Sequence, residues 1–275
     1  MFDVRWHVKK SARWLVSGTS WPRALRRADP SVRVLTYHGI GDVRRNPFYL
    51  ERGQFALQIA YLAEHRLALS LDDLDAYLAG RRGVPRGAVV VTIDDGLRSL
   101  HRDALPILRD HGVPAVAFVS PGLVESNAVL SPQDEPFLGW KELEAVQTAG
   151  IEIGSHGFSH RSLGVLPAPE AEEEIRRSRA VLEQRLGCKI RAMAYPYGTR
   201  PDFNSGTRSA LERAGYRFAF TSQHGAITPG SDPLVLSRIK VEGGDSISLF
   251  RRLTIGGMDA WRVVDGLLWR IQATP

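Results

Sequence analysis

The chain has 275 residues, of which 43% are hydrophobic, and this is enough to bury one sizeable core. Its single cysteine, Cys188, excludes an internal disulfide framework and any cysteine-rich zinc site, so a bound metal needs nitrogen and oxygen ligands. The longest strongly apolar run, Ala88 to Ile93, is far shorter than the roughly 20 residues that cross a bilayer. No secretory signal peptide is recognisable at the N-terminus, which predicts a location in the cytoplasm or at its membrane face.

The net charge of +6 is concentrated in residues 1–30, which carry seven arginines and lysines against two aspartates. The same segment holds three of the six tryptophans, Trp6, Trp14 and Trp21. Basic residues with interleaved tryptophan suit a lipid headgroup interface or an anionic glycan, so we predict a separate N-terminal arm with peripheral membrane contact. An amphipathic helix packed on its own domain is the competing interpretation. No nucleic-acid-binding motif is recognised, and no nucleic acid is expected as a partner.

From Val32 onward, short β-rich runs alternate with longer segments of helical periodicity, which is the pattern of a parallel α/β fold. Seven runs are predicted strands: Val32–Tyr37, Ala88–Ile93, Ala115–Val119, Ile151–Gly154, Ala192–Tyr195, Phe218–Thr221 and Val235–Ile239. Six segments are predicted helices: Gln54–His65, Leu71–Leu78, Ser99–His111, Trp140–Ala149, Pro169–Leu186 and Thr207–Ala214. In the Pro169–Leu186 segment the charges follow the helix dipole, which indicates a solvated helix. We predict one barrel domain over residues 31–245 and an amphipathic tail over residues 246–275.

Polar residues follow several predicted strands, at the edge where parallel α/β folds collect their functional groups. Asp94 and Asp95 come directly after the second strand, and His156 and His160 follow the fourth at a spacing that one helical turn places on a common face. Taken separately, the Asp-Asp-Gly sequence is typical of a plain turn, and the two histidines are typical of surface or core residues that bind no metal. Together they offer a carboxylate and two imidazoles to a metal, with a second carboxylate to accept a proton from water. The combination predicts a hydrolytic site.

A third feature lies after the fifth predicted strand, in the sequence Tyr195-Pro-Tyr-Gly198. Pro196 has no N–H, so the N–H of Tyr197 is the candidate donor to the oxyanion of a tetrahedral intermediate. The alternative is a turn with an aromatic wall.

Three motifs, TIDDG at 92–96, SHGFSH at 155–160 and AYPYG at 194–198, resemble the T-F-D-D-G, H-S/T-x-x-H and R-x-P-Y-G motifs of the polysaccharide deacetylase family of carbohydrate esterases. The similarity extends from about Val34 to Ile239. The resemblance implies a distorted (β/α)7-type barrel in which Asp94 is the general base. It also implies that Asp95, His156 and His160 bind zinc or a similar divalent ion.

The opening sequence Leu35-Thr-Tyr-His38 is similar to the subgroup that acts on poly-N-acetylglucosamine, in which the strand with the acid histidine stands first in the chain. The similarity implies that His38 is the general acid for the leaving amine, with a purely structural histidine as the alternative. Ala194 stands where many family members have the arginine that orients the catalytic aspartate. Arg238, at the last predicted strand, is the candidate to replace that arginine from across the barrel, and a surface arginine is the alternative.

The resemblance implies a metal-dependent hydrolase that removes an N-acetyl group from an amino sugar in a polysaccharide or a lipid-linked glycan. A deformylase or another amidase could use the same site, because the acyl group touches only a small pocket. A catalytically silent glycan-binding barrel is a second alternative, against which the two retained carboxylates argue. The third alternative is a structural or lipid-surface protein with incidental motifs, whose barrel would bind no metal.

Overall fold

The protein is described from a computed structural model, which covers residues 31–41, 46–124, 126, 135–263 and 265. The predicted arm of residues 1–30 lies outside these ranges, and so does the predicted tail from residue 266 onward. Within the ranges covered, no helix combines the length and the apolar character that a bilayer span requires.

Most of the strands belong to one curved sheet. The described residues contain the strands β1 (Arg33–Tyr37), β2 (Gly39–Ile40), β3 (Tyr49–Leu50), β4 (Val89–Ile93), β5 (Ala115–Val119), β6 (Glu152–Ser155), β7 (Ala192–Ala194), β8 (Phe218–Phe220) and β9 (Ile239–Lys240). Seven of them form a parallel sheet in the order β8-β7-β6-β5-β4-β1-β9. The short strands β2 and β3 pair separately with each other.

The sheet curls until its two edges meet at the segment before β9. Leu236 forms a parallel bridge with Phe220 of β8, and Ile239 and Lys240 then pair with β1. The predicted strand Val235–Ile239 is therefore not one continuous strand. It pairs first with β8 and then with β1, and neither of these strands runs beside the whole segment. The seven strands form the distorted (β/α)7-type barrel that the sequence predicts.

Seven α-helices in the described residues pack around the sheet. They are α1 (Arg52–Glu64), α2 (Leu71–Leu78), α3 (Leu105–His111), α4 (Trp140–Thr148), α5 (Ala168–Leu186), α6 (Ser205–Arg213) and α7 (Ile247–Thr254). The predicted Ser99–His111 helix begins instead with a π-helical turn over Leu100–Ala104. Pro106 gives a physical reason, because it has no N–H to bond the carbonyl group four residues earlier.

The strands read as nearly continuous apolar runs because both faces of the sheet are buried. The inner face fills the barrel and packs against α2, and its members include Val34, Val90, Val116, Phe118 and Phe220. The outer face packs against the surrounding helices, and its members include Leu35, Val91, Ala117, Ile153 and Met193. Leu249, Phe250 and Leu253 of α7 also belong to this outer core, so the described part of the predicted tail packs against the barrel.

Candidate active site

The C-terminal edge of the sheet brings the predicted site residues together, as expected for a parallel α/β fold. The residues that follow a strand are His38 after β1, Asp94 and Asp95 after β4, His156 and His160 after β6, and Tyr197 after β7. Arg238 reaches the same edge from the segment before β9.

Asp94 and Arg238 form a buried, bidentate ion pair. Nη1 of Arg238 donates to Oδ1 of Asp94 at 2.8 Å, and Nη2 donates to Oδ2 at 2.7 Å. Arg238 is itself held by a bond from its Nε to the carbonyl oxygen of Thr221 at 2.8 Å. Burial opposes the charge on Asp94, but the charges of Arg238 and His156 outweigh this effect and lower the pKa of the carboxyl. Arg238 is only 1% exposed, so the alternative of a surface arginine is wrong.

Asp95 directs its carboxylate toward the two histidines. Its backbone is left-handed, with a φ of 70°, and Gly96 continues the turn with a φ of 69°. This turn lets adjacent residues face one cavity, where regular strand alternation would point their side chains apart. Oδ1 of Asp95 lies 3.4 Å from Nε2 of both His156 and His160. Burial raises the pKa of Asp95, but hydrogen bonds from these imidazoles dominate and hold it well below its usual value.

The segment from His156 to His160 is a loop, and the helical turn that the spacing predicted is wrong. Gly157 and His160 have left-handed φ values of 74° and 61°, which a helix does not contain. The rings nevertheless converge, with 4.8 Å between their centroids and 74° between their planes. Burial lowers the pKa of His156, yet its hydrogen bond with Asp95 and the charge of Asp94 raise it overall.

Asp95, His156 and His160 fit a divalent metal ion. One candidate ligand atom from each residue lies within 4.8 Å of the others. Two imidazole nitrogens and one carboxylate oxygen match the three protein ligands typical of a catalytic zinc site. Nδ1 of His156 is 2.8 Å from the carbonyl oxygen of Ala194, so it carries the proton and leaves Nε2 facing Asp95. Nε2 of His156 also lies 3.9 Å from Oδ2 of Asp94, so the predicted base is next to these three candidate ligands.

His38 lies beside the two carboxylates, on the β1 side of the site. Its ring contacts the edge of Phe48, with 5.1 Å between centroids, and its Nδ1 is buried without a hydrogen-bond partner in the described part of the chain. Burial lowers the pKa of His38 to about 4, although the charges of Asp95 and Asp94 act in the opposite direction. In the metal-free protein the imidazole is therefore neutral at neutral pH.

Tyr197 forms the rim of the site on the β7 side. Its side chain is 58% exposed, and its ring packs against His160 with 4.9 Å between centroids. Its backbone is left-handed, with a φ of 60°, in a turn where the N–H of Gly198 bonds to the carbonyl of Pro196. The N–H of Tyr197 bonds to no acceptor among the described residues, which leaves it available to a substrate oxygen.

Two residues near the site were missed by sequence reasoning. Phe48 is an exposed aromatic residue beside His38, and it is brought there by the β2–β3 pairing, which has no local sequence signal. Glu174 belongs to the charged helix α5 but is only 8% exposed, so the interpretation of that charge run as fully solvated is wrong at this position. Its helical spacing from the apolar residues Ala171 and Leu182 was the available signal, because all three share the buried face.

The sequence model of polysaccharide deacetylases matches residues 81–219, just over half of the chain. The chain belongs to the polysaccharide deacetylase family. The matched segment includes the Asp94–Asp95 pair, both histidines and Tyr197, so the site described above lies mostly within the region that defines the family.

Individual relatives of this polysaccharide deacetylase cover most of its length. Poly-beta-1,6-N-acetyl-D-glucosamine N-deacetylase of Staphylococcus aureus (strain MRSA252) is 24% identical over 256 residues, which cover 84% of this chain and 86% of the relative. The structure of IcaB from Ammonifex degensii superposes with a TM-score of 0.70 at 26% identity, over 83% of this chain and 97% of that one. Streptococcus pyogenes deacetylase PplD, in complex with acetate, shares the fold with a TM-score of 0.69 at 22% identity, over 78% of this chain and 94% of that one.

Proposed function

We propose that this polysaccharide deacetylase is a metal-dependent hydrolase that removes the N-acetyl group from an amino sugar of a glycan. The observation that carries the proposal is the arrangement of two adjacent carboxylates. Asp94 is bound on both oxygens by Arg238, whereas Asp95 faces His156 and His160. One carboxylate is thus kept charged beside the site and the other belongs to a set of metal ligands.

Asp94 is the general base of the proposed reaction. Its lowered pKa keeps it ionised at neutral pH, which a base must be before it accepts a proton from water. The guanidinium of Arg238 fixes the plane of the carboxylate, so that the free lone pairs point in a constant direction. Arg238 acts through Asp94 and is therefore a positioning residue.

Asp95, His156 and His160 would hold the metal, which we propose to be zinc or a similar divalent ion. When bound, such an ion lowers the pKa of water and polarises the amide carbonyl group. The carbonyl oxygen of Ala194 holds the His156 ring in the tautomer that can bind through Nε2. The other residues of the site act on the substrate and on its protons.

Tyr197 and His38 are proposed to act on the carbonyl oxygen and on the nitrogen of the amide that is cleaved. The N–H of Tyr197 donates to the oxyanion that forms when water adds to the carbonyl group. His38 passes a proton to the nitrogen that leaves. Because its pKa is about 4 in the metal-free protein, His38 starts neutral. The negative charge that develops on the substrate favours uptake of a proton from solvent by His38, which gives that proton to the nitrogen as the C–N bond breaks and is neutral again, while Asp94 releases to solvent the proton that it took from water.

The substrate class that we propose is a polymer of N-acetylglucosamine or a lipid-linked glycan that contains it. Support comes from the relative named poly-beta-1,6-N-acetyl-D-glucosamine N-deacetylase, which aligns over 84% of this chain. Exposed aromatic rings stand on both sides of the site, Phe48 at 45% exposure and Tyr197 at 58%, and such rings suit the apolar faces of sugar units.

No observation favours the deformylase or the silent barrel over the N-deacetylase. A silent barrel has no chemical reason to keep Asp94 buried in a bidentate pair with Arg238 beside an open set of metal ligands. Membrane contact through residues 1–30 and a cytoplasmic location stay predictions, because they rest on residues outside the described ranges.

A direct test is to incubate the purified protein with β-1,6-linked N-acetylglucosamine oligomers and count free amines per oligomer by mass spectrometry. We expect free amines with the unaltered protein and about 10²- to 10⁴-fold slower formation of them with the Asp94→Asn variant. An N-formyl oligomer that reacts while the N-acetyl oligomer stays intact would replace the proposed function with a deformylase.

A further inference from the structure

A buried carboxylate that takes no part in the proposed chemistry contacts the loop between the two histidines. Oε2 of Glu174 accepts hydrogen bonds from the backbone N–H of Phe158 at 2.9 Å and of Ser159 at 2.8 Å. Its Oε1 accepts the hydroxyl of Ser159 at 2.6 Å. All three donors lie between His156 and His160, so one side chain of α5 binds the middle of the loop.

The two histidines are held in different ways. The ring of His156 is fixed by its own Nδ1, which bonds to the carbonyl oxygen of Ala194. Nδ1 of His160 is buried and has no partner among the described residues. Histidine ligands ordinarily have their second nitrogen bonded to a carboxylate, a carbonyl group or water, which orients the ring. The orientation of His160 therefore depends on the packing of its ring, which includes Tyr197, and on the backbone that carries it.

That backbone has an unfavourable conformation, which needs support from its surroundings. His160 has a φ of 61°, in the left-handed region that few residues other than glycine adopt. Gly157, with a φ of 74°, allows the turn at the other end of the loop. Between these two positions the N–H groups of Phe158 and Ser159 both point at Glu174. Hydrogen bonds to a charged acceptor are roughly twice as strong as neutral ones, so this carboxylate is well suited to hold the turn.

We propose that Glu174 is a positioning residue that sets His160 for metal binding through the backbone of Phe158 and Ser159. The inference rests on the proposed function, since it takes His160 as a metal ligand. It adds that the fixed geometry of the second imidazole comes from helix α5, whereas that of the first comes from β7.

The chemistry of the side chain at position 174 defines a graded series of variants. Glu174→Gln keeps an oxygen that can accept both N–H groups, and its amide can donate to the hydroxyl of Ser159. Glu174→Ala leaves both N–H groups without an acceptor in a buried place. Glu183→Ala is a matched control, because Glu183 lies on the same helix and its Oε1 accepts the N–H of Ile190 at 3.0 Å, away from the histidine loop.

The experiment measures the dissociation constant for Zn²⁺ by competition with a chromophoric chelator, and the visible absorption spectrum of the Co²⁺-loaded protein. We expect Glu174→Ala to weaken Zn²⁺ binding by about 10- to 100-fold, the usual effect of losing a partner that orients a ligand. Glu174→Gln should recover most of the affinity, and Glu183→Ala should bind as the unaltered protein does. The Co²⁺ spectrum should change in Glu174→Ala, because a displaced His160 alters the coordination geometry.

The proposal is overturned if Glu174→Ala binds Zn²⁺ with unchanged affinity, or if Glu183→Ala weakens binding equally, since the effect would then be general destabilisation. If Glu174→Ala does not fold, Glu174→Met fills the same space but offers neither N–H group an oxygen acceptor, and unchanged affinity in that variant also contradicts the proposal. Metal binding without acetate release would remove the proposed function but leave this inference intact. Acetate release with equal Zn²⁺ affinity in all variants would do the reverse, and no metal binding by the unaltered protein would overturn both.

Discussion

Arg238 binds both carboxylate oxygens of Asp94 at 2.8 and 2.7 Å, although 144 residues separate the two along the chain. Ala194, where many family members have an orienting arginine, instead lies in the inner core of the barrel. The guanidinium of Arg238 stands 5.8 Å over the ring of Phe118, another member of that core. The arginine and the aspartate thus meet because the segment before β9 closes the barrel.

Replacement of Arg238 is expected to raise the pKa of Asp94, because burial would then act with less opposition. Arg238→Lys keeps the charge without the bidentate geometry, and we expect kcat to lose part of the roughly 10²- to 10⁴-fold that acid–base catalysis supplies. The acidic limb of the kcat/KM profile should move to higher pH, since activity requires ionised Asp94. Arg191→Lys is the control, because Arg191 makes a similar bidentate pair with Glu152. An unmoved acidic limb would contradict the role of Arg238.

The two adjacent aspartates should respond differently to substitution. Asp94→Asn is expected to keep the metal and to lose about 10²- to 10⁴-fold in kcat, as expected for a lost base. Asp95→Ala is expected to lose metal binding, because it removes the one carboxylate of the ligand set. Metal content by atomic emission, measured beside turnover, distinguishes the two. A fully active Asp94→Asn variant would show that another group is the base.

His38 should make the metal-free protein less stable in mild acid. Its pKa is about 4 in the folded protein and about 6.5 when unfolded, so the unfolded state binds more protons between these values. The contribution of His38 to stability is present above pH ~6.5 and is lost as the pH falls to ~4, by about 3 kcal/mol in total. This contribution would be measured by denaturant unfolding across this pH window, with the unaltered protein and His38→Gln both freed of metal by a chelator. If the free energy of unfolding changed with pH in the same way for the two proteins, burial would not lower the pKa of His38.

Gly154 is expected to be required for the packing of β6 against its neighbours. A Cβ at this position would lie 2.5 Å from the ring of Phe118 and 3.0 Å from the carbonyl oxygen of Ala192. Both neighbours are fully buried, so Gly154→Ala should lower the free energy of unfolding by about 1–3 kcal/mol. Gly83→Ala is the control, because nothing lies within 4 Å of a Cβ there. Equal stability of the two variants in urea unfolding would contradict this packing account.

The fold was largely predictable because its strands are buried on both faces and its helices are amphipathic. The β4 sequence Val-Val-Val-Thr-Ile is an example, since it has no polar face to confuse with a surface strand. The β2–β3 pair was not predictable, because it depends on Gly39 lying against the ring of Tyr49, a contact between separate segments. The last strand was misplaced for the same reason, as its pairing changes from β8 to β1 within a few residues.

That the predicted site residues lie together was predictable from the sequence, whereas their backbone conformation was not. The spacing of Asp94, Asp95, His156 and His160 can be read directly from the sequence. The left-handed backbone at Asp95 and His160 has no sequence signal. Glu174 shows the limit most clearly. In sequence it is one of four acidic residues near the start of a charged helix. Its spacing from Ala171 and Leu182 indicates the buried face, but the contact of Glu174 with the histidine loop joins separate segments and has no sequence signal.

The most direct test of the central claim is acetate release from β-1,6-linked N-acetylglucosamine oligomers, measured on protein of known metal content with and without a chelator. The account predicts about one divalent metal per chain, acetate release that stops on chelation, and recovery when the metal is restored. Acetate release that continues at full rate in protein freed of metal would contradict it.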